Sequence, residues 1–452
     1  MAPLPAAGVT AGREPVRSRL VARLQDDDAP IAPDAEVDAD AAELLEAELH
    51  AVLSGEPDAP AYCMEALVVL GWLYWQRCLK GGMADDRCLG LALVLFAPVA
   101  AGNPAVVPDV VPAALLRELP RSSPSGEHPV GAWINLVGEV VTKAEKGDRT
   151  ALLAGAAVLA MGLGMSPPHS ENRRRCQDNL VHVLSSLYET HHDSAALTQA
   201  VRLARWSVAD ATPGTDAHAR GVRRLAETLR LVYDATGDHV VLTEAIEHVR
   251  VAVRECPPGH EELVDLTNIL AGLLTSRHSA TGDTSSLREA ADVLRGLLDE
   301  LPADHPLHAT SSGHLATVLG RQHRADSDPA QADEIVALCR SALTGIPRDH
   351  PVRPRVLAAL TDALVVRARR TGSADDLDEA ISSARRAVAE VPTGTRVSGQ
   401  ALHTLATALA ARHEQFDDTA AFDEAVDLLE RGVSAAVNEV ERANLRFNLA
   451  AL

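Results

Sequence analysis

Apolar residues recur at i, i+4 and i+7/i+8 over most of the chain, the spacing of one buried helix stripe. Residues 216–256 show the pattern. Leu225, Leu229 and Leu231–Tyr233 form a first stripe, which stops at Thr236-Gly237-Asp238. Glycine there supplies the left-handed C-cap conformation. A second stripe carries Leu242, Ala245, Ile246, Val249 and Ala252, then ends at Cys256-Pro257-Pro258-Gly259. Proline removes a helix donor and clashes with the preceding turn. The pattern predicts two helices joined by a short turn.

The pair repeats. Asp148, Asp193, Asp238, Asp283, Asp328, Ser373 and Asp418 stand 45 residues apart. Leu180, Leu225, Leu270, Leu315, Leu360 and Leu405 keep the same step, as do the leucines four residues beyond each. A small residue recurs at Gly155, Ala200, Ala245, Ala290, Ala380 and Ala425, with Ile335 the exception. Proline recurs at Pro167, Pro257, Pro302, Pro347 and Pro392, with Pro213 slipped by one. A fixed period in this range means a solenoid or repeat array.

The order of these columns resembles the tetratricopeptide repeat. Leu229 and Tyr233 lie four apart, Ala245 and Ala252 seven apart, and Pro257 follows Ala245 by twelve. Small pairs recur at Ala200/Ser207, Ala380/Ala387 and Ala425/Gly432, and Leu297 breaks the pattern in its unit. The resemblance covers about residues 131–437. It implies an all-α, right-handed α-solenoid of about eight helical hairpins. The family's usual repeat is shorter; counting places three extra residues between the helices and eight before the first helix, so first helices roughly two turns longer than usual are expected.

Outside that array, residues 1–39 are rich in Ala, Pro and Asp and are expected to be a disordered leader. Residues 40–130 hold a first helix from about Ala39 to Leu53 and a degenerate unit marked by Leu70-Gly71, Tyr74, Ala92 and Pro104. A proline-rich insertion follows over Val106–Glu127. Residues 438–452 match the start of a further first helix, with the expectation that the natural polypeptide continues.

Composition narrows the function. Hydrophobic residues make up 46% and aromatics only 3%, which suits helices better than sheets. Net charge is −21, from 63 acidic and 42 basic residues, three of them lysine. That disfavours nucleic-acid or anionic-membrane binding. The apolar runs Leu89–Ala101 and Ala151–Met165 fall short of the ~20 residues a membrane span needs and read as buried repeat helices. No basic, apolar leader is visible, so the cytoplasm is expected.

Six scattered cysteines lack CxxC spacing. No phosphate loop, His-Glu-x-x-His or Gly-x-Ser-x-Gly motif occurs. His260, His305 and His350 lie one period apart and read as helix-entry residues, not a metal ladder. His191-His192-Asp193 falls in a loop between helices, and His278, His323 and His413 share the Tyr188/Tyr233 column as packing residues. The chain is therefore expected to be no enzyme and to take no cofactor or metal.

Charge is uneven. Segments 171–191, 217–234, 261–280, 306–325, 351–372 and 396–415 hold 17 basic and 10 acidic residues, net +7 on a chain of net −21. The resemblance places first helices along a concave groove, so complementarity favours an acidic peptide or protein segment there. The family's groove register selects Arg224, Glu227, Thr317, Arg321, Arg324, Asp362 and Arg369. The expected function is a protein–protein interaction scaffold. Long, Arg-rich units of this kind also resemble the repeat region of actinobacterial proteins carrying a caspase-like CHAT protease domain. That implies an alternative, the regulatory region of a larger protease or signalling protein. A nucleic-acid-binding array is the third and least favoured reading.

Overall fold

A computed structural model describes residues 14–25, 35–56, 58–80, 86–109, 111, 130–143, 147–257, 259–326, 329–350, 352–391, 396–435 and 439–451. Among them the secondary structure is helical throughout, with no strand. The chain forms two compact units, 1–237 and 238–452.

Unit 1 contains α1 (Glu14–Gln25), α2 (Ala35–Ser54), α3 (Ala59–Lys80), α4 (Asp86–Gly102), a 3-10 turn at Pro104–Val106, α5 (Val130–Lys143), α6 (Arg149–Met165), α7 (Glu171–His191), α8 (Ser194–Asp210) and α9 (Asp216–Thr236). Helix α6 is the uncharged run noticed in the sequence. Every residue from Thr150 to Leu163 is buried, because α2, α4, α5 and α7 pack around it. Its apolar surface is satisfied by protein, and among the described residues no helix is long and apolar enough to cross a membrane.

The segment expected to be a disordered leader contains α1. Its Val16, Leu20 and Leu24 are buried, α1 packs on α2 and α3, and Arg17 pairs with Glu65 at 2.6 Å. A three-residue apolar stripe within an Ala/Asp-rich stretch is too weak to read alone and becomes stable only against a partner. Residues 1–13 and 26–34 lie outside the described set. Helices α3 and α4 pack against each other. At Gly71 a Cβ would come 2.6 Å from the Phe96 ring, so this crossing admits only glycine without a shift. Most of the proline-rich insertion lies outside the described residues.

Unit 2 contains α10 (His239–Glu255), α11 (Glu261–Thr281), α12 (Thr284–Glu300), α13 (His308–Asp326), α14 (Pro329–Gly345), α15 (Arg353–Thr371), α16 (Ala374–Glu390), α17 (Arg396–Phe416), α18 (Thr419–Ala435) and α19 (Glu439–Ala451). First helices α11, α13, α15, α17 and α19 pack directly on one another in sequence. Each of α12, α14, α16 and α18 packs between the first helix of its own hairpin and that of the next. The small crossing residues Ala290, Ala380, Ala387 and Ala425 have no exposed surface, and Leu297 is buried despite its size.

The repeated Asp column acquires a physical role. Asp148, Asp193, Asp238, Asp283, Ser373 and Asp418 are N-caps whose side chains accept a backbone N–H two or three residues on. The residue before most of these caps is left-handed, at Gly237, Gly282 and Gly372, with φ near +70°. His192 and Asp417 hold the same repeat position with φ of 56° and 54°. His192 is thus a helix-ending residue, in a conformation that His and Asp enter more readily than most non-glycine residues. Likewise His260, His305 and His350 accept the N–H of Glu262, Leu307 and Val352 through Nδ1, each at 3.2 Å. They are helix-entry residues, as their spacing suggested.

Candidate interaction surface

In unit 1 the first helices α7 and α9 lie side by side. Arg175, Asp178 and His182 stand at i, i+3 and i+7 on α7, and Arg220, Arg223 and Glu227 occupy the equivalent positions on α9, 45 residues later. Such spacing aligns side chains on one helix face. Glu227 accepts from Arg223 at 3.3 Å and from Arg224 at 3.2 Å. Arg175 donates to Asn135 at 3.0 Å. Arg220 has no ion pair within 4.0 Å among the described residues, although its charge acts on Asp178. Burial raises the carboxyl pKa of Asp178 above its usual range, against the pull of Arg224, Arg220 and Arg223. Arg175, Arg220, Arg223 and Arg224 thus share this surface with Asp178 and Glu227, and Glu171 lies close enough to act on Asp178.

In unit 2 the residues selected by register are more committed. The Thr317 hydroxyl donates to its own helix at the Gly313 carbonyl, 2.9 Å away. Arg321 donates to the Ser279 hydroxyl at 2.8 Å. Arg369 pairs with Glu414, one period later, at 3.0 Å, and both side chains stay about half exposed. Asp362 is half-buried on α15. The side chain of Arg324 lies outside the described residues. Arg224 and Glu227 belong to unit 1 and the other five to unit 2, so the seven divide between two first-helix surfaces, and internal carboxylates neutralise Arg224 and Arg369.

Register selection missed Arg355. It is exposed on α15, at the repeat position that Arg175 and Arg220 occupy in unit 1. The 45-residue step alone would have found it. Behind it lies His314, whose imidazole is pushed down to about 4 by burial, then by the positive charges of Arg355 and His350. Of the histidines in the Tyr188/Tyr233 column, His278 contacts the Asp283 carbonyl at 3.1 Å and His413 packs at a tilt against Phe422, with ring centres 5.1 Å apart. His323 falls outside the described side chains.

What these surfaces offer chemically is guanidinium groups able to donate charge-assisted hydrogen bonds to anionic oxygens. The buried thiols of Cys63, Cys176 and Cys339 are pushed up to about 12, chiefly by burial, which withholds the reactive thiolate. Among the described residues no group of three or more His, Cys, Asp or Glu side chains could hold a metal ion. Unit 1 also encloses a cavity of about 730 Å³. Leu89, Leu91, Leu136 and Val140 line it together with the Arg87–Asp148 ion pair at 2.5 Å.

No known protein family and no curated protein matches this chain. Solved structures similar to it include the TPR-like repeats of a kinesin light chain from Podosopora anserina, at 19% identity over 46% of this chain and 97% of that one, with a TM-score of 0.32. A Rap protein complexed with competence and sporulation factor aligns over 92% of this chain and 99% of its own, at 12% identity and a TM-score of 0.34. Yeast Tom70 aligns over 92% of this chain and 87% of its own, at 12% identity and a TM-score of 0.36.

Proposed function

We propose that the chain is a non-catalytic protein–protein interaction scaffold whose first-helix surfaces take an acidic peptide or protein segment. The observation that carries this reading is the arginine face of unit 1. Arg175, Arg220, Arg223 and Arg224 share that face with Glu171, Asp178 and Glu227, a cationic excess on an otherwise strongly acidic chain. A local cationic face on an acidic body attracts anionic segments and repels cationic ones, and so sets specificity and association rate. The unit 2 surface, with Arg321 and Arg355, contributes along the same principle. The role of a CHAT protease's regulatory region is a second reading, which rests on the resemblance of the long Arg-rich units and on nothing further.

The test uses the full chain as bait for two peptide libraries of equal length, one rich in Asp and Glu, one rich in Lys and Arg. The scaffold reading expects selection from the acidic library. Affinity should fall with added salt, and by about tenfold or more when Arg220→Glu and Arg224→Glu are combined, since like-charge juxtaposition costs several kcal/mol. Equal selection from both libraries, or affinity untouched by the reversal and by Arg321→Glu with Arg369→Glu, would refute it.

A further inference from the structure

The second helices of unit 2 carry a charge pattern that plays no part in the binding surface. Arg250 on α10 makes two hydrogen bonds to Glu289 on α12, at 2.7 and 3.0 Å. Arg295 on α12 reaches Glu334 on α14 at 3.4 Å. Arg340 on α14 grips Glu379 on α16 at 3.0 and 2.5 Å. Arg385 on α16 reaches both oxygens of Glu424 on α18 at 2.8 Å. The four arginines are 45 residues apart, as are the four glutamates, and each pair spans 39 residues. Every junction between consecutive second helices in unit 2 therefore carries the same tie.

We infer that this ladder is an electrostatic strap that sets the spacing of the second helices in unit 2 and makes that spacing sensitive to ionic strength. Neighbouring hairpins touch through their first helices and through each second helix packed on the next first helix, so a small rotation of one hairpin on the next pivots about those contacts and opens the outer faces of the second helices. The second helices lie farthest from the pivot and move most. An Arg–Glu pair must stay within about 4 Å to act, so it limits that movement. Each pair alone is a partly exposed contact of small worth. Four in series, however, restrain the same coordinate, and the two-nitrogen fork of Arg250 and of Arg340 adds directional stiffness. Other ties join the two layers instead, where Arg367 and Arg370 of the first helix α15 reach Asp333 of the second helix α14. Because the pairs are partly exposed, salt weakens them, and the second helices then spread. The first-helix surface curves more tightly in response. The opposed possibility is four independent surface pairs with no mechanical effect.

The test places spin labels at Arg254→Cys on α10 and Ser434→Cys on α18, two exposed sites at one repeat position four hairpins apart. Cys256→Ser removes the one native cysteine that is not buried. At ~10 Å per step the labels should lie about 40 Å apart. Pulsed electron resonance is recorded on the full chain at about 0.1 M and about 1 M salt, where the screening length falls from about 10 to about 3 Å. The strap requires the parent distance to lengthen at high salt. It also requires E289Q/E334Q/E379Q/E424Q to show the longer distance at both concentrations, with helicity unchanged by circular dichroism. Exchanging the residues of the Arg295–Glu334, Arg340–Glu379 and Arg385–Glu424 pairs, Arg for Glu and Glu for Arg, should restore the parent distance and its salt response; Arg250–Glu289 is kept, because Glu289 also holds Arg277 at 3.5 Å. A neutral variant that superimposes on the parent at low salt overturns the inference. So does an exchanged ladder that behaves like the neutral one. Neither readout depends on the ligand, so failure here leaves the scaffold reading standing.

Discussion

His314 provides a pH test of the packing in unit 2. Its imidazole lies among α13 and α15 residues, with its pKa pushed down to about 4 by burial, Arg355 and His350. In an unfolded chain it would titrate near 6.5. A base with a depressed native pKa stays neutral in the fold while the unfolded state takes up the proton. Between those two values the unfolded state binds more protons, so stability falls as pH falls. The full difference of about 2.5 units corresponds to about 3 kcal/mol. Most of the acidic limb overlaps carboxylate titration, so the useful window is pH 7.5 to 5.5, where His314 alone should remove about 1.4 kcal/mol. The perturbation is His314→Gln, which keeps a polar side chain and abolishes the titration. Tryptophan fluorescence cannot serve, because Trp72, Trp75, Trp133 and Trp206 all lie in unit 1. Hydrogen exchange over residues 308–326, corrected for intrinsic rates, reports the opening free energy where it is needed. The parent's advantage over the variant should shrink by about 1.4 kcal/mol between the two pH values. An advantage that stays constant within about 0.5 kcal/mol would mean that His314 is not held neutral by its surroundings.

Two further outcomes test the local reading of the repeat. His305→Ala should weaken the entry turn before α13 by about 1 kcal/mol, because the Leu307 N–H loses its Nδ1 acceptor, and His305→Asp should recover most of it. Exchange rates over the first turn of α13 check both, and equal rates in parent and alanine variant would remove the cap from the account. Ala380→Leu puts a large side chain at a crossing with no exposed surface, where overpacking costs about 1–3 kcal/mol. Faster exchange in α15 and α16, with unit 1 fluorescence unchanged, is the expected signature; unaltered protection in those helices would show that the crossing has room to spare.

Much of the helix pattern was legible because it is local. The step of 45 residues, the small crossing residues and the closing prolines are each repeated along the chain, and helix geometry leaves few other uses for them. The Asp column was visible as a column, while its job as N-cap needed the helix boundaries. Gly237, Gly282 and Gly372 announced left-handed turns by residue type. His192 and Asp417 did not, since a non-glycine residue enters that region only when the cap hydrogen bonds around it demand it. Helix α1 was missed for a related reason. Val16, Leu20 and Leu24 are a short stripe whose meaning depends on what they meet.

The functional surface was less legible. Counting charges on the first helices found the cationic excess but not its distribution. Arg369 and Glu414 are one period apart in sequence and bonded in space, so an apparent surplus is partly cancelled, whereas Arg220 keeps its guanidinium without a direct ion pair among the described residues. The arginine and glutamate columns of the outer ladder could be read from the same period, yet a surface column has no apolar signal to declare its partner. The sequence by itself determined that the chain is helical, that the helices come in pairs, and where most of them start and stop. Those features follow from backbone hydrogen bonding within a few residues and from the 3.6-residue period. Only the tertiary structure decided which charges are neutralised, which histidine loses its proton, and how the chain divides into two units. Each of those depends on groups tens of residues apart being brought within a few ångströms, where the strength of an electrostatic contact is set by distance and burial.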